Sequence, residues 1–227
     1  MGEAFIVLAL ASSANQELEC KRVFTQGAKE NYTLTTTMVT SAGEIDLRMG
    51  LSQEVLKVNG DGSAEIENKI SNFETFFNSG KVESEANKPT VMNWKMLLGS
   101  QGLPAKGEYV PKGSGFLNQI IQLGMLSASM PAKPSAMGSE YAVKWSNKQD
   151  KSDFEGVARL VEAKDGMIRI TGTFKVTVNN KTSNFKTTSW VDQKTYALVK
   201  SEGVSLDAKG PTGVGLKEVR YLIERTK

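Results

Sequence analysis

Residues 167–178 read MIRITGTFKVTV, the most regular alternation of apolar and polar side chains in the chain. One face of this stretch carries Ile168, Ile170, Phe174, Val176 and Val178, and the opposite face carries arginine, lysine and threonine. A period of two is that of a β-strand with one buried face. The stretch therefore predicts a strand in an antiparallel sheet that has one apolar face and one face in water.

The same period recurs along most of the chain and predicts further strands, at 32–38, 45–58, 64–70, 91–96, 141–145, 154–163, 184–191, 196–206 and 214–223. Turn sequences separate them, most clearly Asn59–Gly62 and Lys164–Gly166. The apolar positions change phase within 45–58, which predicts a bulge near Ser52–Glu54. We expect an all-β, mainly antiparallel fold: a strongly curved sheet, a half-barrel or a sandwich, with one short helix covering the apolar face.

The stretch from Leu97 to Gly138 breaks this alternation and holds four of the six prolines. Within it, apolar residues at helical spacing predict one short helix near 114–130, with Ser114 as its cap: Phe116, Leu117, Ile120, Ile121 and Leu123. Gly113, Gly115 and Gly124 are expected to bracket this helix. Residues 21–227 then form a single β-rich domain of two meanders, about 30–97 and 138–226, joined by the segment 98–137 that contains the helix.

Composition argues against catalysis and metal binding. The chain has no histidine and one cysteine, so the commonest general base and any multi-cysteine zinc site are missing. Ser183 and Lys186 match a serine-acylase spacing, but that chemistry needs the pair at the start of a helix, and here the two residues fall in a strand pattern. We therefore expect no enzyme activity, no cofactor and no metal site.

The net charge of +3 is too small to indicate a nucleic-acid partner. Its distribution is uneven: residues 1–110 hold 10 basic and 14 acidic residues, whereas residues 111–227 hold 18 and 11. Lys175, Lys181 and Lys186 are isolated lysines that alternate along strands. They indicate either a solvated strand face or a surface for an anionic partner or anionic lipid headgroups. No apolar run is long enough to span a bilayer as a helix, and contact with a membrane surface stays open.

The N-terminus carries an apolar run, Ala4–Ala11, followed by the small residues Ser12, Ser13 and Ala14. This order is typical of an export signal, although Glu3 stands where a basic residue is usual. Residues 1–20 are either an export-signal remnant or an N-terminal arm or core strand. Cys20, with acidic residues just before it, is expected to be a plain thiol rather than a lipid-attachment site.

Two features carry a resemblance. Met130–Pro134, then Gly138 and the strand Tyr141–Trp145, resemble a recurrent phrase of exported bacterial β-rich proteins of uncharacterised function, in which Leu-Pro-x-Lys-Pro leads to Gly-Asp-x-Trp. The long meander with a helix beneath it is similar in layout to periplasmic lipoprotein carriers, in which a curved sheet cups a lipid against helices. The resemblance implies export and a lipid ligand, and it assigns no site residue.

Two functions remain open from the sequence. The first is an exported, non-catalytic binding protein in the periplasm, cell envelope or extracellular space, which holds a lipid or other apolar small molecule between sheet and helix. The second is a structural or interaction module of the cell envelope with a filled core. For the first, the expected ligand-lining residues are Phe116, Ile120, Leu123, Ile170, Phe174 and Val176.

Overall fold

The computed structural model describes residues 17–82, 93–105, 115–147, 151–178, 180–206, 208 and 216–226. The strands in these ranges are β1 (Lys29–Val39), β2 (Glu44–Val58), β3 (Ala64–Phe77), β4 (Gly80–Val82), β5 (Asn93–Leu98), β6 (Glu140–Asn147), β7 (Ser152–Lys164), β8 (Met167–Val178), β9 (Lys181–Asp192), β10 (Leu198–Leu206) and β11 (Glu218–Thr226). The helix α1 spans Gly115–Ser127. The predicted cap Ser114 and the apolar run 4–11 lie outside the described residues.

All of the described strands belong to one antiparallel sheet, in the order β4-β3-β2-β1-β11-β10-β9-β8-β7-β6, with β5 also paired to β3. The first and last strands meet at its middle, where Leu34 on β1 faces Ile223 on β11. The prediction of an all-β antiparallel fold is confirmed. Of the layouts left open, the described strands form the open curved sheet rather than the two facing sheets of a sandwich.

Contacts of α1 show how strongly the sheet curves. The helix packs against β7, β8, β9, β10 and β11, and its residue Met125 also contacts Gln53 on β2. In a flat sheet, β7 and β2 would lie about 29 Å apart, six strand spacings of roughly 4.8 Å. A helix is only about 10 Å across, so the sheet must wrap around it.

The alternation on β8 is confirmed, because Ile168, Ile170, Phe174 and Val176 are all buried. The predicted bulge is displaced. Register shifts on β2 place the extra residue at Leu56 rather than near Ser52–Glu54. A further irregularity on β3 lies at Asn72, which has a φ of 50°. The phase change in the sequence is therefore real, but Val55 keeps the inward phase before the bulge.

The turns follow the sequence. Asp61 accepts hydrogen bonds from the backbone N–H of Ser63 at 2.9 Å and from its hydroxyl at 2.6 Å. This is the bonding of a turn, in which a short acidic side chain caps the neighbouring backbone. Asp165 and Gly166 both have positive φ, at 52° and 75°, the geometry of a tight hairpin between β7 and β8.

Candidate functional site

The concave face of the sheet and the helix on it form the candidate site. Between Ile120 and Leu126 every side chain of α1 is buried. A helix of 13 residues is marginal alone in water, so packing holds it in place. The structure brings five predicted ligand-lining residues into one core cluster, Ile120, Leu123, Ile170, Phe174 and Val176. The side chains of Phe116 and Leu117 lie outside the described part, and ligand contact stays a prediction for all six.

Gly124 was expected to bracket the helix, but it lies inside α1. A Cβ at this position would meet Cδ1 of Ile223 at 2.2 Å, with the ring of Tyr221 also within 4 Å. The glycine therefore allows close packing of α1 on β11. Glycine lowers helix stability by about 1 kcal/mol relative to alanine, and the close contact between α1 and β11 requires it.

One side of the helix, which we call the serine side, is built from Ser127, Ser189, Ser201 and Tyr221. The Ser127 hydroxyl lies 2.9 Å from the hydroxyl oxygens of both Ser189 and Ser201 and donates to the Gly124 carbonyl at 2.9 Å. Ser189 and Ser201 are 3.0 Å apart, and the Tyr221 hydroxyl is 3.1 Å from Ser201. Burial raises the pKa of Tyr221 to about 12, against the lowering effect of its serine partners. The serine side is a neutral, buried and internally bonded contact.

The opposite side, which we call the amide side, is built from Gln53, Asn68, Trp94, Gln122 and Met125. The Gln53 amide donates to the Asn68 side-chain oxygen at 2.7 Å and lies 3.5 Å from the Met125 sulfur. Asn68 on β3 stands opposite Trp94 on β5. Gln122 lies one turn before Met125, and residues three apart share a side of a helix.

Several polar atoms on the amide side have no hydrogen-bond partner among the described residues. They are Nε2 and Oε1 of Gln122, Nδ2 of Asn68 and Nε1 of Trp94. Gln122 is 1% exposed and Asn68 is 0% exposed, so bulk water does not reach them. An unpaired buried polar group costs about 1–3 kcal/mol. These atoms are three nitrogen donors and one oxygen acceptor that the described protein leaves available to a further polar group.

No charged side chain is buried within the part of the chain that the structure describes. An ionised ligand group on the amide side would therefore have no counter-charge, which is costly in a low-dielectric interior. The chemistry available there is hydrogen bonding to a neutral group, with apolar contact around it.

An arm of residues 17–28 closes one end of the concave face. Leu18 bridges to Ser135 through paired backbone hydrogen bonds. The N–H of Arg22 donates to the Ser100 carbonyl at 2.6 Å, and that of Val23 donates to the Thr195 carbonyl at 2.8 Å. Three separate loops are thus tied together across this end.

Cys20 lies within this arm as a buried free thiol. Burial raises the pKa of the Cys20 thiol, partly offset by its hydrogen bond with Tyr196. A buried thiol with a raised pKa is poorly reactive, since the thiolate is the nucleophile.

The structure also bears on the other kinds of site considered from the sequence. Ser183 and Lys186 lie on β9, three residues apart, so their side chains point to opposite faces of the sheet. No group of three or more Cys, Asp and Glu side chains in the described ranges is arranged to hold a metal ion. Within those ranges, no helix has the length and apolarity that crossing a membrane requires.

The amide side was not among the sites predicted from the sequence. Its signal was present, because Asn68 interrupts the inward series Ala64, Ile66 and Ile70, and Gln122 interrupts the apolar run of the helix. A polar residue at an inward position indicates a buried partner or a ligand group. The pairing of β3 with β5, which brings Trp94 beside Asn68, could not be read from the sequence.

Comparison with known proteins gives little beyond this geometry. No protein family and no curated protein matches the chain. Among solved structures, the chain is similar to an outer membrane lipoprotein-sorting protein domain from Vibrio parahaemolyticus, at 9% sequence identity over 88% of this chain and 84% of that chain, with a TM-score of 0.24.

Proposed function

We propose that this protein is an exported, non-catalytic binding protein that holds a lipid or other apolar ligand between the curved sheet and α1. The observation that carries the proposal is the amide side: buried side-chain N–H and C=O groups that the described protein leaves unpaired. Native interiors pair nearly all such groups. A ligand with a polar group would supply the missing partner.

The donors and acceptor of the amide side define the ligand class. Gln122, Asn68 and Trp94 offer mainly N–H donors, which suit an ester, amide or hydroxyl oxygen. The absence of buried charge in the described residues disfavours a free carboxylate or phosphate at this position. The ligand is therefore an apolar molecule with a neutral hydrogen-bonding group, such as an acylglycerol.

The serine side supports different roles for the two sides of α1, with one side anchoring the helix and the other admitting the ligand. Its four hydroxyls are bonded to one another and to the helix backbone, so α1 stays attached to β9, β10 and β11 there. The ligand then enters between α1 and the strands β2, β3 and β5. Its apolar body contacts the predicted lining residues, among them Ile120, Leu123 and Phe174.

Export belongs to the same proposal. It is supported by the apolar run Ala4–Ala11 and the small residues that follow it. Release of a cleaved mature chain is checked by determining the N-terminal sequence of the protein recovered outside the cytoplasm. An intact Met1 on that protein would contradict cleavage at this site.

Native mass spectrometry of gently purified protein tests the binding function. We expect a co-purifying neutral lipid, lost on extraction with organic solvent, and a rise in the melting temperature when that lipid is returned. Absence of any adduct, together with no thermal response to acylglycerols, would contradict the proposal.

The second candidate function is a structural or interaction module of the cell envelope with a filled core. It is favoured by the burial of every side chain from Ile120 to Leu126 and by the close contact at Gly124. Hydrogen exchange separates the two. If the amides of 120–127 in lipid-free protein are as protected as those of the central strands, and added lipid changes nothing, the filled core is the correct description.

A further inference from the structure

The outer face of the sheet, opposite α1, carries a half-open groove across β6–β10 with a volume of about 630 Å³. Small-molecule sites in proteins have volumes of roughly 300–1,000 Å³. The groove shares no polar group with the amide side, and its outward-facing residues lie on the other surface of the same strands. Phe174, one of the predicted lining residues of the inner site, also borders it. We call it the outer groove.

Its surface is apolar where an outward face is usually polar. Val157 is 48% exposed and Leu206 is 68% exposed, and both line the outer groove together with Val204. Val204 stands opposite Lys186 in the pairing of β10 with β9. The apolar surface is therefore directly beside a basic side chain.

Its charge is positive. Lys144, Lys175 and Lys186 line the outer groove with a single acidic residue, Glu155. Glu155 accepts from Lys144 at 2.5 Å and stands opposite Lys175 on the neighbouring strand. Lys175 and Lys186 form no ion pair among the described residues, although Glu155 also attracts Lys175 electrostatically. With three lysines and one glutamate lining it, the outer groove keeps an excess of positive charge for an anion.

The register places these two lysines diagonally on adjacent strands. Thr173 on β8 faces Lys186 on β9, and Lys175 lies two residues further along β8, facing Asn184. Diagonal neighbours of this kind are about 7–8 Å apart at the backbone, within reach of long side chains. Both ammonium groups can therefore contact one anionic head.

We propose that the outer groove binds a single anionic amphiphile, whose carboxylate or phosphate head lies between Lys175 and Lys186 and whose apolar chain covers Val204 and Leu206. This site is separate from the one between sheet and helix, and its ligand differs in kind: it is charged, whereas the inner site has no buried charge to receive it.

Titration with a dansylated undecanoic acid, kept below its micelle concentration, tests the proposal on the intact protein. The double variant Lys175→Glu/Lys186→Glu should bind the acid about tenfold or more weakly than the parent. Binding of the acid to the parent should also weaken as salt is added. The methyl ester of the same probe should bind the parent and the double variant alike. Leu206→Ser should weaken binding of both probes.

Lys164→Glu/Lys194→Glu is the matched control, since it reverses the same number of lysine charges at two positions outside the outer groove, and it should leave both titrations unchanged. Equal weakening by this control variant would show a general charge effect and overturn the proposal. Unchanged binding of the acid to the double variant would overturn it too, because the acid would then sit elsewhere. Binding to phosphatidylglycerol vesicles without binding to the monomeric acid would assign the face to a membrane surface and equally contradict the proposal.

Discussion

The serine side and the amide side of α1 are both buried, but they differ in whether their polar groups have hydrogen-bond partners. On the serine side, each serine hydroxyl has at least two oxygen neighbours within 3.1 Å. On the amide side, Gln122 has no partner for either polar atom among the described residues. The serine side is complete as a contact within the protein, whereas the amide side is complete only when another polar group is added. This asymmetry is the physical basis of the proposed binding function.

Ile120→Ala should have the largest effect, because it removes a side chain that is 1% exposed from the contact between helix and sheet. The free energy of unfolding should fall by about 2–5 kcal/mol, measured by urea denaturation. Leu206→Ala is the control, since Leu206 is exposed, and it should change stability by less than about 1 kcal/mol. Similar losses for the two variants would mean that α1 is not held by packing.

Ser201→Ala should cost about 1–3 kcal/mol, because it leaves three buried hydroxyls short of a partner on the serine side. Ser205→Ala is the matched control on the same strand. Ser205 is 1% exposed and its hydroxyl has no partner in the described structure, so its removal should be neutral or slightly stabilising. Thermal unfolding of the two variants in parallel measures the difference. Equal losses would remove the distinction between bonded and unbonded hydroxyls.

Alkaline pH should weaken the serine side. The pKa of Tyr221 is about 12 in the folded protein against 10.0 as its ordinary value, so the folded state holds the proton more tightly. Its stabilising contribution is complete below pH 10 and is lost as pH rises from 10 to 12. From pH 9 to pH 11, the free energy of unfolding of the parent should fall by about 1 kcal/mol more than that of Tyr221→Phe. Parallel curves for parent and variant would contradict the raised pKa.

Gln122→Met should have the smallest effect on folding and the clearest effect on binding. It replaces an unpaired amide by an apolar side chain of similar length, so the lipid-free protein should be unchanged or more stable by up to about 1 kcal/mol. The rise in melting temperature on adding lipid should shrink. A loss of stability in the lipid-free variant would show that the amide is already bonded within the protein.

Much of the fold could be predicted from local patterns. The alternation at Ile168, Ile170, Phe174 and Val176 depends only on neighbouring residues, and the helix shows its own period. The ends of the strands and the positions of the bulges depended on how the strands pair with one another. The bulge moved to Leu56 because the partner strand β3, not the sequence of β2 alone, decides where the extra residue is accommodated.

Both sites were harder to predict, for a common reason. The amide side joins residues from β2, β3, β5 and α1, and the outer groove joins residues from five strands. Gly124 was expected to bracket the helix but lies within it, because its role in packing depends on Ile223, which lies about a hundred residues away in the chain. Sequence shows which positions are unusual, such as Asn68 among inward apolar residues, but not what they meet.

The indole N–H resonances of the three tryptophans offer the most direct test of the central claim, that the ligand occupies the amide side. Trp94 has an unpartnered Nε1 on that side, whereas Trp190 lies on the outer face beneath Lys200. In ¹⁵N-labelled, lipid-free protein, the lipid recovered from the native preparation should shift the Trp94 indole resonance and slow its exchange with solvent, while Trp190 stays unchanged. A Trp94 resonance that does not respond, under conditions where binding is shown by mass spectrometry, would contradict the account.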